Sequence, residues 1–390
     1  MTINVLLEGR RTQIDEAVFT TLLDNSVARN YAAYRKAIES SSIDFTDLIF
    51  LARKGEIPYA LFFAPMPLVE AQIKMKTDKL LSGVTKETFS VNSRESVELR
   101  DIELIVKDLL RKQELLKKHD KALRPNGIIG LLDKRGRSVE EDASKLLKAL
   151  GLSQDSTRSV RNKEDALELL IARLEANQVL VSRSVNNFMP QRITVKFSGM
   201  TVKDSKVPYI FLSGGDEGDD QEPAGRMVFT LALMTVLVAR KIFSPVTYDG
   251  SSAGSDVRRE YDIVGAMLMP GQELRDASFG SLDDVKAASD VFKVTPSAMT
   301  VRAMRLGMIS PELAASHLQE LGRDYSQRSK SHARQPKAVN AIRKYNGREF
   351  SRRMVDVLDA GQISAGEFCR AVCLRRIKPK EINDFRAALQ

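Results

Sequence analysis

Apolar positions cluster most densely between Gly225 and Phe243, GRMVFTLALMTVLVARKIF. From Met227 to Ala239 no residue carries a charge, and only Thr230 and Thr235 are polar. A surface helix shows a polar face at every turn, so this run predicts a helix buried on all sides. It falls short of the about 20 apolar residues that a membrane span needs. The expectation is the central helix of a folded domain.

Around it the pattern changes period. Glu164–Asn177 predicts a helix with Ala166, Leu169, Leu170, Ala172 and Leu174 as its apolar set. Strands are expected over Val179–Ser182, Ile193–Val202 and Pro208–Ser213; in the second, Ile193, Val195 and Phe197 alternate with Thr194, Lys196 and Ser198. Residues 1–120 read as helices: Gln13–Asp24, Ser26–Ser40, Thr46–Lys54, Leu68–Met75 and a long amphipathic run from Arg94 to His119. Leu282–Gly307 predicts two helices, the second starting at Thr295-Pro296 with a capping hydroxyl and proline in the first turn. The fold class is therefore α+β and mostly helical, with a small sheet packed on a buried central helix and helical regions on either side. The expected segments are a helical N-terminal region (1–120), a linker with one short helix Val139–Leu150 (121–161), the sheet-and-helix core (162–275), a helical pair (276–322) and a basic helical region (323–390). Arg323–Asn340, polar and interrupted by Pro336, is expected to be a mobile connection.

Composition adds little until charge is located. The chain is 43% hydrophobic and 28% charged, as an ordinary globular protein is. Two cysteines, and an N-terminal apolar run too short for a signal peptide, lead to the expectation of a reducing, cytoplasmic setting. Arg323–Gln390 carries 16 Lys+Arg against 7 Asp+Glu, which accounts for the whole net charge of +9. Such a segment suits nucleic acid or an acidic partner; a solvated helical surface is the plainer alternative. Arg343, Lys344, Arg348, Arg352 and Arg353 are its densest cluster and the first candidates for phosphate contacts. The helical pair is helix-turn-helix-like in pattern: as a groove reader it would expose Ser297, Thr300, Arg302 and Arg305, while a packing module is the plainer reading. The acidic loop Asp216–Glu222 lacks the ordered ligands of a calcium loop and reads as solvated. Cys369 and Cys373 have no further Cys or His at ligand spacing.

In order and spacing, the strand VPYIFLS (Val207–Ser213), GRMVFTLALMTVL (Gly225–Leu237) and a later helix ending in AMLMP (Ala266–Pro270) resemble the ImmA/IrrE family of zinc metallo-endopeptidases. There the helix carries a phrase of the type "GRxxFTLAHELGH", and the later helix ends in "LLMP". Phe45–Pro67 is similar to the end of the helix-turn-helix unit that precedes many such domains, which implies a degenerate remnant of that unit. A zinc peptidase of this type places two His at i and i+4 with a Glu beside the first as general base. Here those positions are Leu233, Met234 and Leu237, which offer zinc no ligand and water no base. Asp256 and Glu260 stand near the place of the family's acidic third ligand. The chain's His residues are His119, His317 and His332. The resemblance thus implies a metallopeptidase-like fold without metal, cofactor or catalytic residues. As a regulatory or interaction protein it would bind a protein partner such as a helix-turn-helix transcriptional repressor, in a mobile-element or phage-defence setting. A DNA-binding regulator using the basic region or the helical pair is the second reading, and a peptidase with relocated ligands the third.

Overall fold

The computed structural model describes residues 2–80, 89–90, 97–134, 136–195, 197–214, 222–247, 259–327 and 336–389. Two compact units make up the chain. One comprises the described residues to Leu80 with Val97–Asp108; the other comprises the described residues from Leu109 onward with Phe89–Ser90.

The first unit corrects an expectation, because it is not all helical. β1 (Thr2–Leu7) and β2 (Arg10–Asp15) form an antiparallel hairpin, and β3 (Ser42–Asp44) pairs parallel to β1, giving the order β2-β1-β3. The hairpin closes on Glu8 and Gly9 at φ 47° and 80°, the two positive values that a tight two-residue turn requires. Only Ile14 of β2 is buried, so this strand shows no alternation. Helices Glu16–Asp24, Ala32–Ser40, Phe45–Lys54 and Met66–Leu80 follow. With the sheet they enclose a core that includes Ile3, Val5, Ile14, Phe19, Leu23, Leu48, Leu51 and Phe62. The segment expected to be a helix-turn-helix remnant holds one α-helix and a short 3-10 turn, Tyr59–Phe63.

The second unit contains a mixed five-stranded sheet. Its strands are β4 (Phe89–Ser90), β5 (Leu180–Arg183), β6 (Gly199–Val202), β7 (Tyr209–Leu212) and β8 (Pro245–Thr247), in the order β4-β8-β6-β7-β5. β6 and β7 are buried at every position, as strands covered on both faces are. The strand expected from Ile193 therefore begins only at Gly199, and Phe197 instead stacks on Phe211 at 6.0 Å. The central helix runs from Ala224 to Ala239, with helix Lys163–Ala176, helix Arg259–Leu268, β6 and β7 packed against it. From Leu231 to Ala239 every residue is buried.

Segment 121–161 is not a linker. Ile128, Leu132, Ala143, Leu146, Leu147, Leu150 and Leu152 belong to the same core as the central helix. A reciprocal cap between Ser138 and Glu141 starts helix Val139–Ala149. Helices Leu282–Val291 and Pro296–Arg305 form the expected pair, with the Thr295 hydroxyl accepting from the Ala298 N–H. The connection expected from Arg323 is still helical to Gln327, within Pro311–Gln327. Helices Ala338–Asn346, Arg348–Asp359, Ala365–Ala371 and Ile382–Ala387 close the unit, the first against β5, where the Ser182 hydroxyl donates to the Tyr345 carbonyl.

Candidate functional site

Leu233, Met234 and Leu237, the positions that the resemblance to a zinc peptidase would assign to metal and base, are solid core. Leu233 is 3% exposed, and Met234 and Leu237 are fully buried. The Met234 thioether lies against Gly199 of β6: a Cβ built there would meet Met234 Sδ at 2.9 Å and crowd the Phe211 carbonyl. Glycine at 199 therefore lets sheet and helix approach over this spot, and methionine fills the remaining space. Glu260 is also occupied, 3.1 Å from Arg240 at the end of the central helix. Asp256 and the acidic loop 216–221 lie outside the described residues, as does His332. His119 Nδ1 faces Gln362 at 3.2 Å, and buried His317 faces the Phe279 carbonyl at 3.4 Å. Among the described residues no three His, Cys, Asp or Glu side chains converge as a metal-binding group. Burial raises the thiol pKa of both Cys369 and Cys373, the opposite of what activates a nucleophile.

The nucleic-acid candidates need revision. Arg302 is 6% exposed; its Nε donates to the Met269 carbonyl at 3.1 Å, at the end of helix Arg259–Leu268. Burial lowers its pKa from the usual guanidinium value. Thr300 is fully buried and bonds the Pro296 carbonyl. Arg305 is tied to Asp262 at 2.7 Å. These residues fasten the pair to its own unit instead of presenting a face to a groove.

The cluster expected to touch phosphates is largely consumed as well. Arg343 and Arg348 donate to the carbonyls of Ala388 and Leu389, pinning the C-terminal turn. Arg352 pairs with Glu349 and Asp356, and Arg353 with Glu349 and Asp120. Lys344 is half-buried, and that burial lowers its pKa.

Sequence reasoning passed over two features. Arg370, Arg375, Arg376, Lys378 and Lys380 are exposed, and among the described residues none has a carboxylate within ion-pair distance. The available signal was an eleven-residue run, Arg370–Lys380, without a single acid. The other feature is Glu175, 5% exposed on helix Lys163–Ala176, which accepts the Glu349 N–H at 3.1 Å. Burial pushes its carboxyl up to about 7, against the pull of that N–H.

No helix among the described residues is long and apolar enough to cross a membrane. Comparison with family models, curated proteins and solved structures finds no match.

Proposed function

We propose that the chain is a catalytically inactive relative of the ImmA/IrrE peptidases that works by binding. Its partner is a protein, in the terms of that resemblance a helix-turn-helix transcriptional repressor of a mobile element or phage-defence system. The observation that carries this reading is the burial of Leu233, Met234 and Leu237 at the metal and base positions, with Glu260 already paired to Arg240. Hydrolysis by this family's route needs a bound water lowered in pKa and a base beside it. Aliphatic and thioether side chains supply neither. A fold that has lost its chemistry still offers surface, and binding is what surface alone can do.

The test combines two measurements on the purified chain. Elemental analysis is expected to find only trace zinc, and a candidate repressor incubated with the chain is expected to be bound and recovered intact. Stoichiometric zinc, or cleavage of the repressor that a chelator stops, would sink the reading.

A second reading has its own observation. The net charge of +9 sits wholly in Arg323–Gln390, and among its described residues five exposed cations without carboxylate partners, Arg370, Arg375, Arg376, Lys378 and Lys380, fall in one turn. On this reading the chain is a nucleic-acid-binding regulator that uses its C-terminal region. It requires an affinity that falls steeply with salt, through release of condensed counterions. No gel shift at low salt would remove it.

A further inference from the structure

We infer that the turn Arg370–Lys380 is a docking surface for the phosphate backbone of a nucleic-acid duplex, contacted by Arg375, Arg376, Lys378 and Lys380. The inference rests on the second reading above and moves it to residues other than Arg343–Arg353.

Three observations carry it. Electrostatically, the turn differs from the cations on either side of it. Glu349, Asp356, Asp359 and Asp120 neutralise Arg352, Arg353 and Arg386, and the last carbonyls of the chain take Arg343 and Arg348. Of the flanking carboxylates, Glu367 accepts the Ser364 N–H and Glu381 the Lys378 N–H at 2.9 Å, and neither is within ion-pair distance of a cation of the turn. Arg370 lies in the field of the Glu367 carboxylate and is left out of the contact set.

Next, the turn is held in shape. Val372 and Cys373 are fully buried and Ile377 is 1% exposed, so the apolar residues between the cations anchor the backbone while the cations stay in water. Leu374 and Arg375 adopt φ 50° and 59°, left-handed values uncommon outside glycine. The Arg375 N–H bonds the Cys369 carbonyl and the Arg376 N–H that of Cys373, each at 2.8 Å. Four cations on a fixed backbone bind with less lost freedom than the same four on a mobile tail.

Finally, what the turn lacks selects the partner. Phe368 and Phe385 beside it are fully buried and meet edge to face at 6.0 Å, so no ring is presented there to an unstacked base. That disfavours single strands, which bind through stacking platforms. Ile377 and Val372 are buried, and the half-buried Leu374 and exposed Pro379 are too few to make the apolar face that a lipid interface takes up. Guanidinium and ammonium groups alone suit a phosphate backbone and read no sequence.

The experiment titrates the full chain against a fluorescent 30-base-pair duplex of random sequence across a salt series. Each phosphate contact contributes about 0.9 to the slope of log K against log salt. Arg375→Gln, Arg376→Gln, Lys378→Gln and Lys380→Gln in one chain are expected to cut that slope by about 3.6. Arg343→Gln with Arg352→Gln is expected to change it by less than about one. Unchanged Tm of both variants shows that the fold survives. If the wild type binds and the quadruple variant keeps its slope, the surface assignment is wrong while the second reading stands. If the wild type does not bind duplex at low salt, both fall. Tighter capture by phosphatidylserine vesicles than by duplex, lost in the same quadruple variant, overturns the choice of partner.

Discussion

Two carboxylates, each buried on a helix of the second unit, join that helix to a distant segment and keep different electrostatic company. Asp142, on Val139–Ala149, meets Arg137 and, at 2.8 Å, Arg259 at the start of Arg259–Leu268. Glu175, on Lys163–Ala176, meets a backbone N–H at the start of Arg348–Asp359. Burial pushes the Asp142 carboxyl up, but the hydrogen bonds and charges of the two arginines outweigh it and hold the group below the usual carboxylate range. Glu175 receives no comparable cation, and burial carries it to about 7. Burial alone therefore does not set the charge of a carboxyl; the charge of its partner does. One seam loosens in acid and the other as pH rises.

The largest test removes the ionic seam. Asp142→Ala leaves Arg137 and Arg259 without their shared anion, a loss expected to cost about 3 kcal/mol of stability in urea unfolding, at the low end for a broken buried pair because Arg259 is partly exposed. A folded pKa below 3.8 means the contribution is present above that value and fades as pH falls through the folded pKa. The gap between wild type and variant should therefore close in strong acid. A constant gap would mean that Asp142 acts through packing alone.

Glu175→Gln tests the other seam with the opposite sign. A carboxyl at about 7 in the fold and 4.5 unfolded adds stability below pH 4.5 that is lost as pH rises to about 7. The shift corresponds to up to about 3 kcal/mol. The amide keeps an oxygen for the Glu349 N–H and has no charge to bury. The variant should match wild type near pH 4 and exceed it near pH 8. Equal stability-pH curves would refute the assignment.

Gly347 tests the geometry of the same seam. It joins helices Ala338–Asn346 and Arg348–Asp359 at φ +83°, and a Cβ there would lie 2.5 Å from the Val181 carbonyl and 2.6 Å from Glu175 Oε1. Gly347→Ala should cost about 2 kcal/mol or more, from strain and from displacing β5 or the carboxyl. A neutral substitution would show that the seam has room to shift, and the account of Glu175 would fail with it.

Neither seam could be read from the chain, whereas the central helix could. Residues 225–243 state their burial by themselves, since no polar face interrupts them, and Thr295-Pro296 and Ser138-x-x-Glu141 announce helix starts locally. The N-terminal hairpin was hidden because one strand buries a single side chain, and the core role of 128–152 was masked by the Pro, Gly and Lys around it. The identities of Leu233, Met234 and Leu237 were legible for the same local reason. Which cations are spent was not. Arg352–Glu349 and Arg353–Glu349 are neighbours along a helix, but Arg353–Asp120, Arg343 with Ala388 and Arg348 with Leu389 join residues far apart in the chain.

Glu349 gives the smallest and most discriminating test, because it acts on Glu175 in two ways. Its backbone N–H stabilises the ionised Glu175 carboxyl, and its own carboxylate opposes that ionisation. Hydrogen bonds and charge from Arg352 and Arg353, outweighing burial, hold the Glu349 carboxyl below the usual range, so it is charged where Glu175 titrates. Glu349→Gln keeps the N–H, removes the opposing charge and releases the two arginines from Glu349. Both electrostatic changes favour the ionised Glu175, so its midpoint should fall from about 7 toward the ordinary 4.5 and narrow the pH window in which stability is lost. The lost pair with Arg352 should cost no more than about 1 kcal/mol, because Arg352 is mostly in solvent, and Arg353 keeps Asp120 as its anion. The Glu175 carboxyl shift, followed by NMR through a pH series, measures the midpoint directly. A midpoint that stays or rises would mean that burial alone governs Glu175, and that the identity of a neighbouring charge does not separate the two seams.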